Sequence, residues 1–152
     1  MDFPPNYRLY LNNAAIKYHF PNLRKGGNFI LTSLNTDQYN CISWALGITN
    51  RRTQLYDHLG NGIVDAAEYI KLFNRHGFIL TKNRDFEKNK TKIAVYISGD
   101  TVNKEFKHVA RLLSNSKWTS KLGDWEDIEH DTPEALIGKS YGEEIIIMER
   151  QL

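Results

Sequence analysis

Residues 91–114, TKIAVYISGDTVNKEFKHVARLLS, decide the fold. β-Branched, aromatic and aliphatic side chains crowd two short runs, TKIAVYIS and KHVARLLS, and Gly99-Asp100 between them can turn the chain. This pattern predicts two neighbouring strands. The same texture recurs outward, in GFIL at 77–80, KWTSKLG at 117–123 and EEIIIMER at 143–150, with Lys82-Asn83-Arg84-Asp85 and Ser114-Asn115-Ser116 as turn-formers. An antiparallel sheet of about five strands is therefore expected over residues 77–152. Between its last two strands DTPEALIG, 131–138, offers Asp131 or Thr132 as a cap, Pro133 at a first helical position and Gly138 as a stop. A short helix is expected to cross there.

Upstream the period changes. In NTDQYNCISWALG, 35–47, Asn35, Thr36 and Asp37 can each cap a helix, Ile42, Ala45 and Leu46 recur at helical spacing, and Gly47 ends it. A second helix is expected from about Val64 to Arg75, with Ala67, Ile70, Leu72 and Phe73 on one face and Gly77 after its end. Residues 1–34 read as irregular, broken by Pro4-Pro5, Pro21 and Gly26-Gly27, although NFILTSL at 28–34 can form one short strand. Helices followed by strands argue an α+β class in a single domain of 152 residues. Its parts are an irregular start to residue 34, a helical part over 35–76 carrying Cys41, and a sheet over 77–152 carrying His108.

Composition narrows the function classes. Twenty basic and 18 acidic residues leave a net charge of +2, interleaved apart from short clusters such as Lys88-Asn89-Lys90-Thr91-Lys92. Nucleic-acid binding, which wants a dominant basic stripe, is not expected. A single cysteine cannot form an internal disulfide, which favours a reducing compartment. No window reaches the length of apolar chain that a membrane span needs, and MDFPPNYRLYLNNAAIKYHF has no signal-peptide pattern. The expected location is the cytoplasm, or outside the cell by export without a signal peptide. Scattered histidines beside one cysteine lack zinc-ligand spacing, and HLGNGIVD lacks the lysine of a phosphate-binding loop. No metal and no cofactor are expected.

Cys41 admits two readings. Near a helix N-terminus the dipole favours thiolate, the nucleophilic form. A free cysteine on an apolar helix is also an ordinary buried residue. A histidine able to take the thiol proton, itself oriented by a further polar group, distinguishes the two. His19 and His58 read as surface or turn residues and His76 as a helix end. His130, in DIEHDTPEAL, flanks the late helix or faces a cleft. His108 opens a strand directly after the polar loop SGDTVNKEFK, at the rim of a sheet facing a helix end.

At these residues the chain resembles the papain-like cysteine hydrolases of the compact bacterial kind, the NlpC-type and CHAP amidases. The resemblance runs from about Asp37 to Gly123 and matches Cys41 in NCISWA to the nucleophile and His108 in KHVAR to the base. It implies a papain-like fold with helices packed on the sheet. The set YNCISWALG, KIAVYI, HVARLL, WTSKLG, DIEH, TPEAL and YGEEIIIMER is also similar to an uncharacterised bacterial domain family. Two departures stand out: Asn40 replaces the usual Asp before the cysteine, and Gln38 lies three residues before Cys41 where papain-like enzymes place a glutamine six before. Oxyanion donors would then be the Cys41 backbone N–H with the Asn40 or Gln38 side chain.

The orienting residue depends on strand register. If Asn115-Ser116 is a two-residue turn, Ser114 pairs with Lys117, and His108 comes opposite Gly123 with Asp124 just beyond. Asp124 is then the expected orienter. A slip of one residue puts Ser120 on the histidine's face instead, and Asp127 and His130 stay candidates. Trp44 lines a substrate cleft or fills the core, and Trp118 opens a strand. Ser120-Lys121 binds a carboxylate or phosphate, or Lys121 is a solvated edge residue. The expected function is amide hydrolysis by Cys41 and His108, as a peptidase, peptidoglycan amidase or deamidase, with a peptide or peptidoglycan-like substrate and no nucleic-acid or membrane partner. An effector role would bring an immunity or adaptor protein. The alternative is a binding or interaction module of the same fold with a buried structural cysteine.

Overall fold

The computed structural model describes residues 20, 29–31, 40–48, 50–56, 58–99, 103–122, 127–138 and 140–152. In chain order they form β1 (Phe29–Leu31), α1 (Cys41–Ala45), α2 (Ala66–Arg75), β2 (Ile79–Thr81), β3 (Lys90–Ser98) and β4 (Glu105–Leu112). Then come β5 (Trp118–Lys121), β6 (Asp127–His130), a 3₁₀ turn at Pro133–Leu136 and β7 (Glu144–Gln151). The α+β class holds. All seven strands join one antiparallel sheet in the order β1-β6-β5-β4-β3-β7-β2, so the expectation of about five strands is too low.

The five expected strands are present, β1 is the short strand that NFILTSL allowed, and β6 is the addition. DIEH holds one aliphatic residue in four, too little for a strand signal, and its extended form comes from pairing with β5 on one side and β1 on the other. The late crossing is a 3₁₀ turn, with Pro133 at its start and Thr132 as a cap residue whose side chain makes no capping bond.

β3 is an interior strand between β4 and β7, and Ile93 to Ile97 are all buried, a continuous run covered on both faces. One face carries α1 and α2: Ile42, Ala45, Tyr69 and Phe73 pack on Ile93, Val95, Val109 and Met148. The other face buries Ala94, Tyr96, Ala110, Trp118 and Ile128 under Leu136 of the 3₁₀ turn and Phe20. Phe73 is fully buried and edge-on to Phe78 at 6.4 Å, so its removal would cost about 3–5 kcal/mol.

α2 is capped by Asp65, whose carboxylate accepts from Ala67 N–H at 2.8 Å. Its inward face is rotated from the expected one: Ala66 and Tyr69 are buried, while Ala67 is exposed. α1 is only five residues long and Asn40 caps it, not Asn35, Thr36 or Asp37, which lie outside the described residues.

The β4–β5 hairpin has three connecting residues where the sequence suggests two. Leu113 N–H donates to Lys117 O at 2.7 Å, and Ser116 takes the left-handed conformation, φ 68°, that ends a three-residue loop. Arg111 therefore faces Thr119 and Leu112 faces Trp118. This is the one-residue slip that moves Ser120 onto the face of His108.

Candidate active site

β3 and β4 pair in register up to Tyr96↔His108, and then a bulge at Lys107 shifts the partner of Ile97 to Phe106. His108 thus projects on the Tyr96 side of the sheet, fully buried, with its ring stacked on Tyr141 at 4.1 Å and 3°. Tyr96 packs beside both rings, tilted, 5.1 Å from His108 and 6.0 Å from Tyr141. Tyr141 is held by the turn it occupies, in which Gly138 and Gly142 exchange backbone hydrogen bonds. Gly142 has φ 83°, and a Cβ there would come within 2.6 Å of the Ile97 carbonyl, so only glycine lets this turn sit so close to β3.

Three polar side chains line up across three strands. His108 Nε2 is 2.9 Å from Ser120 Oγ, Ser120 Oγ is 2.8 Å from His130 Nε2, and His130 Nδ1 is 2.8 Å from the Thr132 carbonyl. The far end fixes every proton. A carbonyl only accepts, so His130 carries its proton on Nδ1 and presents a bare Nε2. Ser120 donates its hydroxyl proton to that nitrogen and accepts in turn from His108 Nε2–H. The remaining nitrogen of a neutral His108, Nδ1, is then a lone pair. It is buried and, among the described residues, has no hydrogen-bond partner.

Both imidazoles are neutral near pH 7. Burial, with the neighbouring His130, depresses His108 well below the usual histidine value, and burial brings His130 down to about 4 despite its bond to Thr132.

Cys41 is the first residue of α1, half-buried, and Asn40 fixes the turn before it. Asn40 Oδ1 accepts from Ser43 N–H at 3.0 Å and Thr53 N–H at 3.3 Å, and its Nδ2 donates to Thr53 O at 2.6 Å. The cap thus uses the amide oxygen twice and one of the two Nδ2 hydrogens. The β4–β5 ladder ends at Arg111–Thr119, and beyond it the Val109 N–H meets the cysteine sulfur instead of a β5 carbonyl. Burial pushes the thiol up to about 11, although the N–H groups of Val109, Ile42 and Cys41 and the charge of Lys121 pull it down.

Cys41 packs with the helix-side cluster and His108 with the opposite one. The Val109 N–H lies beside the thiol, while His108 Nδ1 has no hydrogen-bond partner among the described residues. Trp44 is half-buried in α1, donating from Nε1 to Thr119 Oγ1 at 3.1 Å with Arg111 over its ring at 5.4 Å. Asp127 is buried on β6 opposite Lys121. Asp124 and Gln38 lie outside the described residues. Thr132 and Tyr141 had no sequence signal, since one contributes a main-chain oxygen and the other arrives from a distant turn. Among the described residues, no group of three or more His, Cys, Asp or Glu could hold a metal ion.

A family model described as a domain of unknown function (DUF7689) matches residues 30–149. The chain belongs to the DUF7689 family. The DUF7689 match takes in Cys41, Tyr141 and the whole path from His108 to Thr132. No curated protein and no solved structure matches the chain.

Proposed function

We propose that this DUF7689 domain is a cysteine hydrolase of papain-like architecture acting on an amide bond of a peptide or peptidoglycan-like substrate. The observation that supports this reading is the bare Nδ1 of His108, buried and held at the end of the Ser120–His130–Thr132 path. A fully buried chain of polar groups is costly unless every member is satisfied, and this one leaves unsatisfied only the atom a general base would use.

In the reaction the Cys41 thiol turns from Val109 and gives its proton to His108 Nδ1. The sulfur electron pair attacks the substrate carbonyl carbon, and the carbonyl electrons move onto oxygen. His108, now protonated on both nitrogens, keeps its Nε2–H donated to Ser120, so the ring cannot rotate while charged. The Nδ1 proton passes to the leaving amine, the C–N bond breaks, and water resolves the acyl-cysteine by the same base. The path ends in a carbonyl and contains no carboxylate, so Ser120 and His130 orient the base more than they stabilise its charge. Ser120 and His130 thus take the orienting role that the sequence reading gave to Asp124. A single cysteine suits a reducing compartment, the cytoplasm, or export without a signal peptide.

The test is covalent trapping: the protein is incubated with activated peptidyl esters and its intact mass is followed. Acylation confined to Cys41, lost in Cys41→Ala and in His108→Asn, supports the reading; acylation elsewhere or none across the panel contradicts it.

One observation favours the second reading, a binding module with a structural cysteine. Burial raises the Cys41 thiol and depresses His108, which opposes a resting thiolate–imidazolium pair. On that reading Cys41→Ala costs packing alone.

A further inference from the structure

Lys121 resembles a solvated edge residue in sequence, and the structure buries it completely, at 0% exposure. Taking an ammonium out of water costs several kcal/mol unless its charge is compensated, so what surrounds a lysine kept here matters. Thr119 and Lys121 alternate onto one face of β5, and the Thr119 hydroxyl takes the Trp44 indole bond. Lys121 is therefore on the α1 side of the sheet, the side of Cys41. Asp127 of β6, also buried, stands directly across from it. β5 and β4 are no longer paired at this level, so the Cys41 sulfur occupies the place where the ladder has ended.

The other titratable groups around the sulfur are Tyr69 from α2 and Tyr141 from the 138–142 turn, both phenols raised by burial and neutral at physiological pH. His108 of β4 projects to the opposite face. Arg111, also of β4, is occupied over the Trp44 ring. The thiol thus has a buried cation on its own side, with the buried Asp127 of β6 across from that cation, and neutral phenols from α2 and the 138–142 turn.

We propose that Lys121 is a positioning residue for the nucleophile, its buried ammonium serving as the countercharge against which the Cys41 thiolate forms. This rests on the reading of Cys41 as the reacting group. The S–H bond breaks, its proton goes to His108 Nδ1, the electron pair stays on sulfur, and Lys121 keeps all its protons. Asp127 is its buried cross-strand neighbour on β6.

The test is the pH profile of iodoacetamide alkylation at Cys41 in the full chain, comparing wild type, Lys121→Met, Lys121→Arg and His108→Asn, with melting temperatures alongside. Lys121→Met is expected to slow alkylation by about tenfold below the thiol's half-point, a shift of about one pH unit, and Lys121→Arg to restore most of the rate. A folded Lys121→Met with an unmoved profile overturns the proposal, even if its melting temperature falls, because a merely structural lysine would behave that way. If Lys121→Met does not fold, the Lys121→Met/Asp127→Asn pair removes both charges together and is held to the same two outcomes. An effect of Lys121→Met without one of His108→Asn would sink His108 as the base and leave the Lys121 countercharge standing; the reverse would sink the countercharge alone.

Discussion

Ser120 Oγ and His108 Nε2 stand 2.9 Å apart, and the same oxygen is 2.8 Å from His130 Nε2. One hydroxyl therefore accepts from one buried histidine and donates to another. Ser120→Ala strands both nitrogens, which should cost about 1–3 kcal/mol for each. It should also release the tautomer of His108, giving a mixture of Nδ1–H and Nε2–H forms. Urea unfolding and imidazole nitrogen chemical shifts check the two effects; a stable variant with an unchanged His108 tautomer would contradict the path.

Acid should destabilise the protein in a window set by its two buried histidines. His130 binds its proton only near pH 4 when folded but near 6.5 when unfolded, so the unfolded chain carries more protons between those values. Stability is full above about pH 6.5 and falls with decreasing pH, by about 3 kcal/mol for His130 once pH is below its folded value. His108, depressed in the same direction, steepens the loss. Urea midpoints between pH 7 and 5 should therefore drop, and drop less in His130→Gln, taken relative to that variant's own value at pH 7.

Tyr141 lies flat on His108 at 4.1 Å, a contact worth about 0.5–1.5 kcal/mol. Tyr141→Phe should keep the ring stack and the His108 resonances, and Tyr141→Ala should lose both. Gly142→Ala should mimic Tyr141→Ala, since the added methyl meets the Ile97 carbonyl and pushes the turn off β3. Imidazole spectra of the three variants distinguish these cases.

Asn40→Ala removes three hydrogen bonds at the start of α1 and should cost about 2 kcal/mol, at the upper end for a helix cap. Asn40→Asp retains the two bonds accepted by Oδ1 and should recover most of that loss. Chemical denaturation of the two variants checks the order.

Much of this arrangement could be read from residue order, and its limits have physical causes. The apolar run from Ile93 to Ile97 announces an interior strand because both its faces are covered, and Val109-Ala110 marks the buried middle of its neighbour. Cys41 at a helix start and His108 at the sheet were legible from local pattern. Register was not: Ser116 has neither the glycine nor the asparagine that usually marks a left-handed loop end, so Asn115-Ser116 read as a two-residue turn. That single residue put Asp124 ahead of Ser120 and His130, which the slipped register and the candidate set also contained. Lys121 was misread for a different reason, since the charge of a lysine predicts exposure unless a buried neighbour such as Asp127 is known to lie across the strand.

The central claim is that His108 takes the proton of Cys41. Its most direct test is the rate of Cys41 alkylation by iodoacetamide in the folded protein near pH 7, in wild type against His108→Asn, with the unfolded chain as reference. His108→Asn keeps a donor for Ser120 and removes the base. The account predicts that the folded wild type reacts and that the variant, still folded, reacts at least about tenfold more slowly. Equal rates in the two proteins, or a wild-type thiol silent until the chain unfolds, would contradict it.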